Sequence, residues 1–289
     1  MDKQESKTTP ALPEPGLYHN VRMEEYQAWP FVNNSVLKIL SDERRCPAHA
    51  KYYLDHGRED TPALKFGRAM DAYILEPQRF FERYAVCPKC DRRTKEGKQA
   101  YLEFEAAASG KEILQEEDME KIIQIAESVS NSQAMRLIQG GQSQICAVWQ
   151  DKETGLMCKA RYDYYQKDIP MITDLKSTSD CSPEGFALDV FKYGYFQQAG
   201  FYCLGHEALT GEEPLFAIFA IEKEPPFVHA SYELGARTIE AGKNAARQAL
   251  RKYKQCLDSG HWPMYSDKIV LLDMPVFAQQ KFGINPYQV

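Results

Sequence analysis

The chain has 289 residues, of which 44% are hydrophobic and 26% are charged, a composition typical of a globular enzyme with a substantial buried core. No apolar run approaches the roughly 18 residues that a membrane-spanning helix needs. The net charge of −6 argues mildly against a protein that binds polyanions over its whole surface, although a local basic face could still bind phosphate.

Residues 1–15 are polar and rich in proline, and they contain no apolar core of a signal peptide. We therefore expect a disordered tail and a cytoplasmic protein. The eight cysteines are then expected as reduced thiols. Cys87 and Cys90 have the spacing of a metal knuckle, but without a second such pair they favour a surface turn over a zinc or iron–sulfur site.

Helical patterns dominate the first half of the chain. Short helices and turns are expected from residue 16 to about 57, including a capped helix in "NNSVLKILSDE". The segment "ALKFGRAMDAYILEP" predicts a helix that Pro77 stops. Charged, turn-rich sequence follows to about Gly97, and residues 99–109 and 115–139 are predicted to be helical.

The pattern changes to strands after "QGGQ". A β-hairpin is predicted from "SQICAVWQ" and "LMCKARYDYY", and "PMITDLKS" predicts a third strand. One long buried helix is expected over "FALDVFKYGYFQQAGFYCLGHEAL", then two strands, "LFAIFAIEK" and "FVHASYELG", and a final amphipathic helix that ends near a glycine. This order predicts an α/β or α+β core, with a mixed sheet flanked by helices.

Three charges lie in runs that otherwise favour strands: Asp163, Asp174 and Lys176. Alternation puts Asp174 and Lys176 on one side of their strand, and it puts Asp163 on the polar face of the preceding strand with Lys159 and Arg161. Two carboxylates held so close repel unless a cation lies between them, and hard oxygen ligands suit Mg²⁺ or Mn²⁺. A simple Asp–Lys ion pair without catalysis is the alternative.

Other polar residues fall near this predicted site. Gln198 and Tyr202 are four residues apart and share one face of a predicted helix, where they could orient a water or a phosphate. Asp71, on a helix after Gly67, is a further candidate oxygen ligand. The alternatives are a core tyrosine, a surface glutamine and an ordinary exposed aspartate.

Basic residues cluster in "DERRCPAHAK", with Arg44 and Arg45, and in "KCDRRTKEGK", with Arg92 and Arg93. These four arginines are candidates for phosphate contacts. A solvated charged face explains either cluster equally well.

The motifs, in this order, resemble the PD-(D/E)xK nuclease superfamily and within it the RecE (exonuclease VIII) nucleases of phage and prophage recombination systems. The resemblance covers nearly the whole chain after the tail. The segments that carry it are "GLYHNVRMEEYQAWPFVNNSVLKIL", "FGRAMDAYILEP", "RRTKEGKQAYLEF", "ETGLMCKARYDYY", "ITDLKST", "YGYFQQAGFY" and "HWP".

The resemblance implies one nuclease domain over residues 16–289, with a helical part at about 16–140 and a catalytic sheet core at about 141–265. It implies that Asp163, Asp174 and the backbone carbonyl of Leu175 bind Mg²⁺ or Mn²⁺ and that Lys176 is the catalytic lysine. Gln198 and Tyr202 match a Q-x-x-x-Y motif beside the site. Asp71 stands where relatives usually carry a histidine, and because a carboxylate is a harder ligand than an imidazole, this change could preserve metal binding and alter metal preference.

The resemblance also implies a reaction, the digestion of linear double-stranded DNA from 5′ ends to leave 3′ single strands. It further implies a RecT-type single-strand annealing partner, a ring-shaped homo-oligomer and a phage or prophage gene expressed in a bacterial cytoplasm. The alternatives are a related RecB-like endonuclease and a non-catalytic DNA-binding or interaction module that retains the nuclease fold.

Overall fold

The computed structural model describes residues 12–130 and 132–285. Its α-helices are α1 (Met23–Ala28), α2 (Asn34–Ser41), α3 (Pro47–His56), α4 (Pro62–Leu75), α5 (Phe80–Arg83), α6 (Lys95–Ala107), α7 (Glu116–Ser130), α8 (Pro183–Lys192), α9 (Tyr195–Thr210), α10 (Ala236–Ser259) and α11 (Val276–Lys281). Short 3-10 helices cover Pro77–Arg79 and Gln133–Ile138. None of the described helices is long and apolar enough to cross a membrane.

The strands are β1 (Gly16–Tyr18), β2 (Tyr84–Val86), β3 (Glu112–Leu114), β4 (Gln142–Gln150), β5 (Met157–Gln166), β6 (Met171–Thr178), β7 (Leu215–Glu222) and β8 (His229–Glu233). The main sheet has the order β1-β4-β5-β6-β7-β8, and β2 and β3 form a small parallel sheet of their own. Within the main sheet β6 and β7 are parallel and the other neighbours antiparallel. The predicted mixed sheet is confirmed.

Two helical layers cover the main sheet. On one face α2, α8, α9 and α10 pack against inward-facing residues of β4 and β5, such as Trp149, Ala160 and Tyr162. On the other face α4 and α7 pack against Leu175, Phe219 and neighbouring residues. Because β6 and β7 are parallel, the chain must cross over between them, and α8 and α9 make that crossover. The crossover carries α9 over β4 and β5, from where its Gln198 side chain reaches Asp174 of β6.

The predicted elements are found with several differences. The helix expected to stop at Pro77 is α4, which ends at Leu75. The hairpin is β4–β5, and the final amphipathic helix is α10, which is followed by Gly260 in a left-handed conformation (φ 66°). The helix expected over residues 115–139 is shorter, because α7 ends at Ser130 and a 3-10 turn begins at Gln133.

One prediction is wrong in a way that matters for the site. The long helix expected after the third strand is two helices, α8 and α9, which are separated at Tyr193 and Gly194. Gly194 has φ 66°, a left-handed conformation that glycine adopts at little cost, and it turns the chain between the helices. Strands β1, β2 and β3 lie in parts where only helices and turns were expected, because three-residue strands are too short to show alternation.

The eight cysteines all lie within the described part of the chain. All eight cysteines are free thiols, and Cys87 is buried while Cys90 is partly exposed. The expected disordered tail falls mostly on residues 1–11, which lie outside the described part of the chain; residues 12–15 precede strand β1.

Candidate active site

Asp174 and Lys176 lie on the same side of strand β6, as the alternation predicts. This side faces α9, and the Lys176 ammonium forms an ion pair with Oδ2 of Asp174. The Asp174 side chain is only 3% exposed and that of Lys176 is 16% exposed. A carboxylate this deeply buried requires a charged or hydrogen-bonding partner, and the lysine is one such partner.

Asp163 lies where strand pairing stops on both sides of β5. The ladder between β5 and β6 ends at the Tyr164–Thr173 pair, and the ladder between β4 and β5 omits the residue pair Gln144–Asp163. Gln144 has a left-handed backbone (φ 56°). The Asp163 carboxylate accepts a hydrogen bond from the Leu175 backbone N–H at 2.9 Å. The side chain therefore fills the gap that the two separating strands leave.

The buried carboxyl groups of Asp163 and Asp174 lie close enough for each to act on the charge of the other. Burial and then the negative charge of Asp174 raise the pKa of Asp163 to about 7, against the opposing effects of Lys176 and the Leu175 N–H. The fully ionised pair would carry more negative charge than one lysine neutralises, as expected of a site that also binds a cation.

Lys176 stays protonated in this setting. Burial alone would lower the pKa of Lys176, but the charges of Asp174 and Asp163 outweigh burial and raise the pKa above its usual range. The ammonium also lies 5.0 Å from the centroid of the Tyr195 ring, a cation–π contact. A protonated lysine can offset negative charge that develops nearby, but it cannot accept a proton.

Gln198 connects helix α9 to the site. Its amide Nε2 donates a hydrogen bond to Oδ1 of Asp174 at 2.7 Å. Tyr202 is 9% exposed and packs in the core, 5.2 Å from the ring of Tyr162, and its hydroxyl lies in the electrostatic neighbourhood of Gln198. Gln198 thus orients a site carboxylate, and Tyr202 fills the core beside it.

Asp71 approaches the site from the opposite helical layer. Gly67, one turn earlier on α4, faces Ser177 of β6, so this face of the helix points at the strand. The Oδ1 atom of Asp71 is buried and has no hydrogen-bond partner within the described chain. Burial and then the charge of Asp163 raise the pKa of Asp71 well above its usual range. An unpaired buried carboxylate oxygen beside two further carboxyls is the arrangement that a cation would stabilise.

The side chains present fit a divalent metal by their chemistry. Asp71, Asp163 and Asp174 offer hard carboxylate oxygens. The Leu175 carbonyl lies on the same edge of β6 as its N–H, which Asp163 engages, so it faces the same gap. Within residues 12–130 and 132–285, however, no three acidic, histidine or cysteine side chains are grouped closely enough to hold a metal ion as they stand. The ion pair between Lys176 and Asp174 occupies one of the carboxylate oxygens that a metal would use.

Lys159 and Arg161, which were predicted to share the polar face of β5 with Asp163, do not contact the site. The Lys159 ammonium is buried and donates to backbone carbonyls of Tyr26, Gln27 and Trp29, and Arg161 donates to the Val21 carbonyl. Both side chains therefore anchor the N-terminal segment to the sheet. Lys159 and Arg161 therefore stabilise the fold, and Asp163 is the residue on this face of β5 that belongs to the candidate site.

The four candidate DNA-binding arginines also lie outside the carboxylate cluster. Arg44 and Arg45 pair with Asp42 just after α2. Arg93 pairs with Asp91, and the Arg92 guanidinium lies 3.7 Å from the centroid of the Tyr101 ring. Close packing requires a glycine at position 97 in "RRTKEGK", because a Cβ there would lie 2.1 Å from the Asp91 carbonyl oxygen.

Two residues near the site were not singled out from the sequence. Tyr195 contacts Lys176, and Lys38 on α2 packs its side-chain stem within 3.3 Å of where a Gly194 Cβ would be. Partial burial and then the charge of Lys176 lower the pKa of Lys38, which places the two ammonium groups in one electrostatic neighbourhood. The "SVLK" pattern predicts that Lys38 lies on a helix, but it does not predict the contact of Lys38 with the turn at Gly194.

Comparison with known proteins supports the same fold. A family model described as "PDDEXK-like domain of unknown function (DUF3799)" matches residues 34–275, which include every carboxylate of the site. No curated protein matches the chain. A solved structure from Eubacterium rectale, described as a "Putative exonuclease", aligns with 90% of this chain and 98% of its own at 14% identity and a TM-score of 0.61.

A phage-related exonuclease from Haemophilus somnus 129PT aligns with 80% of this chain and 96% of its own at 14% identity, but its TM-score of 0.35 is too low to bear on the fold. The family match spans most of the chain, and the Eubacterium rectale structure shares its overall arrangement. The chain therefore belongs to the PDDEXK-like family DUF3799 and has the PD-(D/E)xK nuclease fold.

Proposed function

We propose that this protein is a divalent-metal-dependent DNA exonuclease that degrades linear double-stranded DNA. The observation that carries the proposal is the pair of buried carboxyls, Asp163 and Asp174, at the point where β5 and β6 separate, with Asp174 in an ion pair with Lys176. An Asp–Lys pair that served only stability would not need a second carboxylate beside it, because like charges at this distance destabilise the fold.

The chemistry assigned to the site is hydrolysis of a phosphodiester. Asp163, Asp174 and the Leu175 carbonyl would hold Mg²⁺ or Mn²⁺, with Asp71 as an additional ligand. A bound divalent cation supplies Lewis-acid stabilisation of charge on the phosphoryl oxygens. Lys176, protonated, offsets the negative charge that develops as water adds to phosphorus and the P–O bond breaks. Gln198 holds Asp174 in the orientation that binding requires.

The finer assignment is a RecE-type enzyme that proceeds from 5′ ends and leaves 3′ single strands for a RecT-type annealing protein. The motif order given above supports this assignment. A homo-oligomer is part of the proposal, and an apolar run at residues 269–272, whose side chains are largely exposed, is a surface suited to self-association. Light scattering of the protein and of an Ile269→Ser/Leu271→Ser variant tests that part separately.

The substrate class is tested with linear duplexes labelled at either the 5′ or the 3′ end, and with covalently closed circular DNA, each with Mg²⁺ and with a chelator. The proposal expects early release of the 5′ label, slow release of the 3′ label, no cleavage of the circle and no reaction in chelator. Cleavage of the circle would instead identify an endonuclease. Early release of the 3′ label would overturn the proposed polarity.

A further inference from the structure

The corner between α8 and α9 has a fixed shape beside the site. Gly194 makes the turn, and the stem of Lys38 packs against it from α2. Immediately after the turn, Tyr195 contacts Lys176 and Gln198 binds Asp174. Residues 191–195 are therefore positioned by the same contacts that position the site.

Large apolar side chains on this corner are exposed. Helix α8 buries Phe186 and Val190 against the core, yet Leu188 is 70% exposed and Phe191 is 76% exposed on its other side. Tyr193 at the turn is 42% exposed. We name Leu188, Phe191 and Tyr193 the corner patch. The rest of the described chain leaves these three side chains largely uncovered, so the patch is available for a ligand.

The corner patch continues into the site through ring contacts. The rings of Tyr193 and Tyr195 are 5.7 Å apart, and the Lys176 ammonium lies 5.0 Å from the Tyr195 ring. Phe191 stacks at 6.1 Å on Phe196, the second residue of α9. An aromatic path thus runs from the surface to the ammonium beside Asp174.

Positive charge accompanies the rings. The Lys192 ammonium lies 5.1 Å from the centroid of the Tyr193 ring. Lys38 is close to Gly194, and the charges of Lys176 and Arg58 both act on it. The nearby carboxylate of Asp189 accepts a hydrogen bond from the Thr178 hydroxyl at 2.7 Å and so is already engaged. Exposed rings between cations match a single-stranded nucleic acid, whose bases stack while its phosphates pair with lysines.

We propose that the corner patch is a stacking platform for unpaired DNA bases next to the site, with Phe191 and Tyr193 as its principal rings. The inference rests on the proposed nuclease function and deepens it: the platform takes the terminal nucleotides of a strand after they leave the duplex. The neighbouring cations Lys192 and Lys38 contact the backbone of that strand. Positive charge beside exposed rings favours a nucleic acid strand over an apolar protein partner.

The test measures binding and base stacking without digestion. Oligonucleotides with 2-aminopurine at an unpaired terminal position or at an internal paired position are titrated in chelator with the wild-type chain, Phe191→Ala, Tyr193→Ala and Tyr193→Phe. Phe81→Ala is the matched control, since Phe81 is 58% exposed on α5. The platform predicts a fluorescence change at the terminal position alone and about 5- to 100-fold weaker single-strand binding by each alanine variant.

Tyr193→Phe and Phe81→Ala are expected to bind as the wild type does, because stacking requires the ring and not the hydroxyl. Unchanged binding and fluorescence in both alanine variants would overturn the platform, as would an altered oligomeric state with unchanged DNA binding, which indicates a protein surface. Lys176→Ala separates the two proposals: it should lose digestion and keep the terminal fluorescence change. A wild-type chain that stacks bases but never digests DNA would refute the nuclease and retain the platform.

Discussion

Gln198 Nε2 donates to Oδ1 of Asp174 at 2.7 Å, while the Lys176 ammonium contacts the other carboxylate oxygen, Oδ2. Each oxygen of this carboxylate therefore has its own partner, one from α9 and one from β6. The orientation of Asp174 depends on the packing of α9 across the sheet as well as on its own strand.

Gln198→Ala should therefore weaken metal use without removing a ligand. Loss of an outer-shell partner typically lowers metal affinity or activity by about 10- to 100-fold. The digestion rate is measured against Mg²⁺ concentration, and the half-saturating concentration is expected to rise while high Mg²⁺ restores much of the rate. An unchanged Mg²⁺ dependence would mean that Gln198 does not position Asp174.

Tyr202→Phe is the companion variant. It removes the hydroxyl that lies near Gln198 but keeps the ring in the core. A shift in Mg²⁺ dependence smaller than that of Gln198→Ala, with a similar unfolding temperature, is expected. A large loss of stability would instead assign Tyr202 a mainly structural role.

The stability of the protein in chelator should fall as pH rises. The pKa of Asp163 is raised to about 7 in the folded chain, above the roughly 3.9 of an unfolded aspartate. The folded state therefore binds more protons between these values, and its stability is greatest below this window and decreases through it, by on the order of 2–4 kcal/mol. Thermal unfolding in chelator at about pH 5 and about pH 8 measures this.

Divalent metal should reverse that trend. Ligand carboxylates must lose their protons to bind, so stabilisation by Mg²⁺ or Mn²⁺ is expected to be larger at about pH 8 than at about pH 5. Asp163→Asn removes one titrating group and should reduce the pH dependence in chelator, leaving the part that Asp71 contributes through its own raised pKa. If the wild-type and Asp163→Asn proteins have the same pH profile, Asp163 is not the group responsible.

Lys159 offers a test of structure apart from function. Its ammonium donates to the Tyr26, Gln27 and Trp29 carbonyls at 2.7, 3.2 and 2.5 Å, which satisfies the C-terminal end of α1. Lys159→Met keeps the stem and leaves those carbonyls unpaired, so we expect the free energy of unfolding to drop by roughly 1–3 kcal/mol in denaturant titration.

The matched control is Lys252→Met on α10, whose exposed lysine makes a single bond to the Leu40 carbonyl at 3.2 Å. It should lose less than about 1 kcal/mol. Digestion per folded molecule should not change in either variant. A specific loss of activity in Lys159→Met would place the N-terminal segment in substrate binding.

The phosphate-binding role of Arg92 and Arg93 stays a prediction and has its own test. Double charge reversal should weaken DNA binding uniformly over sequences and reduce the salt slope by about 2, because each arginine would neutralise one phosphate. Reversal of Arg247 and Arg251 on α10 alters the net charge equally and serves as the control. An equal effect in the two double variants would indicate only a general electrostatic contribution.

Much of the fold could be predicted from local pattern. The strands β4, β5 and β6 are recognisable as short, largely apolar or aromatic runs, since the sheet is buried on both faces, and Pro77 and Gly260 mark helix ends by their backbone preferences. The break between α8 and α9 could not be predicted, since the apolar run continues through it and one glycine inside a helical pattern is ordinary. Its left-handed conformation depends on tertiary packing.

The candidate site was predictable where it depends on spacing. The two-residue period of a strand places Asp174 and Lys176 on one side of β6, and the order of elements places Gln198 on a helix that follows. The structure brings these three side chains together. The contacts of Tyr195 and Lys38 arise from the packing of α2 against the α8–α9 corner, which has no local signature. The role of Asp71 also depends on packing, because only the approach of α4 to β6 buries its oxygen.

The central claim is that Asp174 and Lys176 form the reactive centre of a metal-dependent nuclease. The most direct measurement is the digestion rate of an end-labelled linear duplex in Mg²⁺ by the wild-type chain, Asp174→Asn and Lys176→Ala, with unfolding temperature as the check on folding. We predict losses of about 100-fold or more in both variants and no digestion in chelator. Wild-type rates in either folded variant would contradict the claim.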